Sequence, residues 1–286
     1  MTDALNLSSA REMFVNDLRR KDRSTSTLLA YNKDVVQLIE FVAKDKVSLP
    51  PDITAEHIEA FKASLTADNY TAKSISRKLN SIKTFCRFLI NQGLIKDSPA
   101  AGITHPKYEI KPPRILSKME YRCLRDVCRE DARIYAIIEL LLQTGIRIGE
   151  LANLTLNDID NNKLTIKPFE SHGQREVPLN KAAQTALTNY LKIRPKSRTN
   201  QVFITKTGKP FLIRNIRTAV DRYFKLADVK NATVNDLRHT FIAHQLQSGT
   251  PLTLISKLVG HKRLATTEKY LRVITPNPEP ETLEEL

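Results

Sequence analysis

Three cysteines, no long apolar run and no nucleotide-binding glycine loop set the first limits on this 286-residue chain. Cys86, Cys123 and Cys128 are odd in number and include no C-x-x-C pair. Reduced thiols in or near a core are therefore expected, not a disulfide framework or a thiolate metal site. No His-rich pattern supplies metal ligands, and no metal or cofactor is expected. No stretch approaches the roughly 20 apolar residues of a membrane span. The first residues carry no signal-peptide pattern, so a cytoplasmic location without a membrane partner is expected. G-x-x-x-x-G-K-[ST] is absent, which argues against P-loop nucleotide chemistry. Internal repeats and low-complexity tracts are missing as well.

What the chain does have is positive charge, a net +14. Alone, that does not choose between nucleic acid and membrane. Its distribution says more. Residues 1–105 hold 15 Lys+Arg against 12 Asp+Glu, residues 106–275 hold 30 against 15, and the last 11 residues hold four Glu and no base. The middle block is where a phosphate-binding surface belongs.

Helical spacing of apolar residues predicts four helices in the first hundred residues: from Ser8 or Ser9 to Lys21, Ser26–Lys44, Thr54–Ser64 and Thr71–Asn91. Met13, Phe14 and Leu18 face inward on the first. Ile75, Leu79, Ile82, Cys86 and Leu89 form the buried stripe of the fourth. Lys73, Arg77, Lys78, Lys83 and Arg87 are placed on its exposed side, either as a solvated basic face or as a DNA contact; Lys33 and Lys44 are further candidates. Residues 106–116 hold Pro106, Pro112 and Pro113 with Lys111 and Arg114, an extended basic connection that is either a strap on DNA or a plain linker. Ser117 to Glu120 reads as a capping box opening a second domain over 117–274. There, Asp131–Gln143 is a central buried helix, and a small antiparallel sheet spans Asn157–Pro178 with a hairpin turn at Asn161-Asn162. Helices follow at Lys181–Ile193 and Asn215–Ala227, with a short extended segment at Val202–Thr205 between them. The prolines after Thr275 end the pattern, and 275–286 is either a loose acidic tail or a docking segment.

The densest stretch is Asn235–Tyr270. N-D-L-R-H begins one helix, Thr250 and Pro251 open a second that stops at Gly260, and Tyr270 lies nine residues beyond His261 on a third. Arg offers a planar fork for phosphate oxygens, His a donor near neutral pH and Tyr a nucleophile, so the trio suggests phosphoryl transfer. Thr144-Gly-Ile-Arg-Ile-Gly-Glu-Leu151 completes the picture. Together these stretches resemble the tyrosine recombinases, the phage integrase and Xer family. T-G-x-R-x-x-E-L aligns Arg147 and Glu150; H-x-L-R-H aligns Arg238 and His239, with Asn235 where the family has His; L-G-H followed by Tyr aligns His261 and Tyr270.

The resemblance implies a mainly α fold: a four-helix, SAM-like core-binding domain and an α-rich catalytic domain with a small sheet, closing as a C-shaped clamp on DNA. It implies a site-specific recombinase that cuts strands through a 3′-phosphotyrosyl link on Tyr270, with Arg147, Arg238 and His261 at the phosphate and Glu150 and His239 in support. Double-stranded DNA with an inverted-repeat core site would be the partner, bound by a dimer and then a tetramer joined through the C-terminal tail. The role points to resolution of DNA dimers or transposon cointegrates. Phage-type integration, a type IB topoisomerase and a DNA-binding protein of the same fold with little catalysis are the alternatives. Two departures matter. Asn235 can donate a hydrogen bond but exchanges no proton. The family's hairpin Lys, five residues before the Arg of R-x-V-P-L, falls on Glu170; either Lys167 or His172 supplies the acid, or neither does.

Overall fold

The structure, a computed structural model, describes residues 5–160, 162–169 and 172–274. Asn161 of the expected hairpin turn, Glu170 and the acidic tail at 275–286 lie outside the described residues. The chain forms two compact units divided between Ile110 and Lys111, within the proline-containing connection.

The first unit contains α1 (Leu7–Arg20), α2 (Thr25–Val42), α3 (Ala55–Ala67) and α4 (Ala72–Asn91). Each start is fixed by a side-chain oxygen that accepts an otherwise orphaned backbone N–H: Asn6, Ser24, Thr54 and Thr71. Asn6 therefore caps α1, not Ser8 or Ser9. Ile75, Leu79, Ile82 and Cys86 pack with Leu38 and Val42 of α2 and Ile58, Phe61 and Leu65 of α3. Phe85, Phe88 and Leu89 pack on Phe14, Leu18 and Val35. Full burial of one such side chain is worth about 1.5–3 kcal/mol. Met13, expected inside, is 38% exposed, because Ala10, Phe14 and Leu18 already fill the inner face of α1.

Two expectations for α4 are corrected. Lys78 is not on the exposed side: its side chain is 4% exposed, and its Nζ lies 3.0 Å from Asp34 Oδ1 and donates to Gln37. Arg77 is exposed but makes bonds of 2.5 and 3.0 Å to the same carboxylate, and Ser81 donates at 2.7 Å. Burial alone would raise the Asp34 carboxyl; Arg77, Ser81 and Lys78 outweigh it and hold it below its ordinary value. A buried charge demands such partners. Lys83 is half-buried, with Nζ 2.8 Å from the Ile103 carbonyl. Lys73 and Arg87 are exposed.

The second unit contains α5 (Lys118–Cys128), α6 (Ala132–Thr144), α7 (Ile148–Asn153), β1 (Ile159–Asp160), β2 (Lys163–Ile166), β3 (Arg175–Pro178), α8 (Lys181–Ile193), α9 (Ile213–Leu226), α10 (Val234–Gln247), α11 (Leu252–Val259) and α12 (Ala265–Glu268). Ser117 and Glu120 form the expected capping box. α6 is the buried centre: Ile134, Ala136, Ile137, Ile138, Leu140, Leu141 and Leu142 are all buried. Its one buried acid, Glu139, is paired by Arg125. The antiparallel sheet has the order β1-β2-β3, with Leu164 opposite Val177 and Ile166 opposite Arg175. The segment 202–205 forms only an isolated bridge, Ile204 to Pro210.

Candidate active site

Arg147, Arg238 and His261 converge because three helices end or begin at one place. α6 stops at Gly145, whose φ of +60° gives the left-handed turn a β-carbon resists. Arg147 then sits at the N-cap of α7. Its backbone N–H donates to Glu150 Oε2 at 2.8 Å and its Nη1 to Oε1 at 3.0 Å. Nη1 also reaches the Val259 carbonyl at 3.1 Å and Nη2 the Gly260 carbonyl at 2.9 Å.

Those carbonyls belong to the C-terminus of α11, where four go unpaired in any helix and the macrodipole attracts cations. Three arginines fill this end. Arg175 Nε donates to Leu258 at 2.7 Å. Arg238, 8% exposed on α10, donates to Val259 at 2.7 Å and to the Gly145 carbonyl. Gly260 closes the helix at φ +67°, and a β-carbon there would stand 3.0 Å from Arg175 Nη1. α11 starts one residue later than expected, with Pro251 as its N-cap, while the Thr250 hydroxyl bonds Gln245.

At the end of α11 three guanidiniums meet one buried carboxylate, and with Asp236 buried beside His239 the balance is still three cations to two anions. Glu150 accepts Arg175 at 2.8 and 2.6 Å as well as Arg147. Burial would raise its carboxyl, but Arg175 and Arg147 hold it below the ordinary value. Arg238 is pushed down to about 9 by burial and by Arg147, which leaves it charged at neutral pH. Burial, Arg238 and Arg147 push His261 down to about 3, so its ring is neutral; Nδ1 lies 2.8 Å from Thr267 Oγ1. The site therefore carries surplus positive charge and suits an anion.

Tyr270 lies two residues beyond α12, not within a helix as expected, and is 6% exposed. Its ring stacks on His261 at 6.5 Å and meets the edge of His239 at 5.9 Å. Phe241, Ile242, Ile255 and Val259 complete its apolar surround. Burial raises the phenol above its ordinary value and Arg238 only partly opposes this, so the hydroxyl is protonated in this state. His239 Nδ1 is 3.1 Å from Asp236, the residue that also closes the capping box of α10 on Thr233.

The other expected residues divide. Asn235 is exposed in the first turn of α10. Lys167 does not join the cluster: its ammonium is 2.8 Å from Asp158 and 3.4 Å from the Thr155 hydroxyl. His172 does approach it; burial and then Arg147 lower its ring below the ordinary value. A groove of about 570 Å³ runs past His172, Arg175, Leu254, Lys257, His261 and Lys262. Lys111 is exposed, and Arg114 pairs with Glu120 at 2.6 Å. Sequence reasoning missed Arg175. Its signal was parity: residues 175 and 177 share one face of β3, and Val177 is buried.

The model of the phage integrase family matches residues 114–275, and that of the phage integrase N-terminal SAM-like domain matches 12–93. The chain is 30% identical over 287 residues to tyrosine recombinase XerD of Rickettsia bellii, covering 90% of this chain and 92% of that one. It is 29% identical over 273 residues to tyrosine recombinase XerC of Roseiflexus castenholzii, covering 91% and 87%. Among solved structures, XerA recombinase is similar at a TM-score of 0.55 with 26% identity, covering 96% of this chain and 99% of that one. A lambda integrase dimer bound to a COC′ core site shares the fold at a TM-score of 0.76 with 17% identity, covering 91% and 97%.

Proposed function

The chain belongs to the phage integrase family, and from that premise we propose that it is a tyrosine site-specific recombinase acting on double-stranded DNA. The observation that carries the reading is the arginine-lined end of α11 with His261 and Tyr270 against it. Tyr270 Oη attacks the scissile phosphorus, loses its proton and forms a 3′-phosphotyrosyl link; the 5′-oxygen leaves and takes up a proton. A 5′-hydroxyl of the partner strand reverses the step. One phosphodiester is traded for another, so no nucleotide is consumed.

Arg147 and Arg238 hold the non-bridging oxygens. A guanidinium has five N–H groups. Among the described residues, Arg147 directs Nη1 and Nη2 to Glu150, Val259 and Gly260, and Arg238 directs its two to Gly145 and Val259. Donors remain for phosphate, and each such donor is worth about 3–4 kcal/mol to the transition state. Arg238 already works against the burial that raises the phenol, and the phenol must lose its proton to attack. With the Thr267 hydroxyl donating to Nδ1, neutral His261 presents its Nε2–H to a phosphate oxygen. Glu150 and His239 support these groups. Lys73, Arg77 and Arg87 of α4, with Lys111, track the flanking DNA backbone.

Two strands are cut in each exchange partner, which calls for a homo-oligomer on an inverted-repeat site; the acidic charge of 275–286, opposite to that of the basic block 106–275, is the support for a protomer contact through that tail. Relatives named XerC and XerD favour resolution of DNA dimers or cointegrates over integration. Covalent capture tests the reading: the protein is mixed with fragmented genomic DNA and denatured in SDS, and the attached 3′ ends are sequenced. Adducts at one recurrent inverted repeat support it; 5′ linkage or scattered attachment contradicts it.

A further inference from the structure

Resting on the recombinase reading, we infer that Arg175 is a positioning residue that keeps Arg147 available to the scissile phosphate. Its side chain is 8% exposed. Nε binds the Leu258 carbonyl, and Nη1 and Nη2 cover both oxygens of Glu150. All three nitrogens are thus engaged within the protein, and the residue acts through its partners.

Glu150 is the reason this matters. Its side chain is fully buried, and a buried carboxylate takes whatever cation is nearest. Arg147 is already 3.0 Å away through one nitrogen. With Arg175 covering both oxygens, Arg147 keeps that single side-chain bond and turns its outer nitrogen to Gly260. Without Arg175, the planar fork of Arg147 swings onto Glu150 as a closed pair, and the charge meant for phosphate is neutralised. Arg175 also joins β3 to the end of α11, the carbonyls of which fix both Arg147 and Arg238. One residue therefore sets the charge balance and the spacing of the pair.

The test measures single-turnover adduct formation on saturating target duplex, recovered as described above. Two versions of the duplex are compared, one with an ordinary scissile phosphate and one with a scissile methylphosphonate. The neutral methylphosphonate needs less of what Arg147 supplies. Arg175→Gln and Arg175→Lys are expected to bind DNA as wild type does. Both lower the adduct rate on the phosphate duplex by about 10²-fold, the scale of a small misplacement. On the methylphosphonate duplex the deficit shrinks at least about tenfold. Arg175→Lys keeps a cation on Glu150 and so keeps the fold should the Gln variant lose it; lacking the planar fork, it still fails to hold Leu258 and both oxygens together. An equal deficit on both duplexes, or none, overturns the positioning role. Failure of the wild-type protein to form any adduct overturns the recombinase reading instead.

Discussion

Replacing Lys78 by Met separates the structural cation of α4 from those that face DNA. The side chain is 4% exposed and meets an Asp34 that is 1% exposed. Met keeps the apolar stem on the stripe of Ile75, Leu79 and Ile82 but removes the ammonium. Asp34 retains Arg77 and Ser81, so the cost is below the roughly 3–5 kcal/mol of a fully stranded buried charge. The ammonium's bonds to Asp34 and Gln37 are both lost; the buried one, to Asp34, is worth about 1.5–3 kcal/mol, and the half-buried Gln37 amide is met by water. In a unit of this size each kcal/mol moves Tm by about 4–8 °C, so a fall on the order of 10 °C is expected. DNA affinity measured against salt then decides the role. Each phosphate neutralised contributes about −0.9 to the slope of log K on log salt. Lys78→Met leaves that slope unchanged, whereas Lys73→Met and Arg87→Met each flatten it by about 0.9 and leave stability within about 0.5 kcal/mol of wild type. A slope reduced by about 0.9 for Lys78→Met, with Tm unmoved, would refute the buried-pair argument.

Three further outcomes follow from the site. The rings of His172, His239 and His261 all lie below their ordinary values in the fold, His261 at about 3. The unfolded chain therefore binds more protons below about pH 6.5. Stability is full above that pH and falls as pH drops, for His261 by up to about 1.4 kcal/mol per pH unit towards 3, with His172 and His239 adding in the same direction. Urea unfolding at pH 7.5 and 5.0 checks this, and equal stability at both contradicts it. Gly260→Ala places a β-carbon 3.0 Å from Arg175 at φ +67°; it costs about 1–2 kcal/mol in backbone strain and lowers the adduct rate while DNA affinity stays. Lys167→Met, which frees Asp158 rather than the arginine cluster, leaves the adduct rate unchanged; a large loss would restore Lys167 as the leaving-group acid.

Periodicity made the helices legible, since 3.6-residue spacing is a local property: α8 matches Lys181–Ile193 at both ends. The motif residues Arg147, Arg238, His261 and Tyr270 were legible as types in order, and the fold brings them together. Lys78 was misread because its charge was weighed above its place, three residues after Ile75 on the buried stripe. The Asp34 that offsets it lies 44 residues away, a pairing that no local pattern shows. Arg175 was passed over for the same reason: its partners, Glu150 and Leu258, are 25 and 83 residues distant. Tyr270 falls after a four-residue helix, too short for spacing to place.

The most direct test of the account is to map the covalent bond itself. Wild type and Tyr270→Phe are incubated with a nicked target duplex that traps cleavage, digested, and sequenced by mass spectrometry. The account predicts one nucleotide 3′-phosphate ester on Tyr270 in wild type, and no adduct in the variant with DNA binding intact. An adduct on any other residue, or cleavage that persists in Tyr270→Phe, would contradict it.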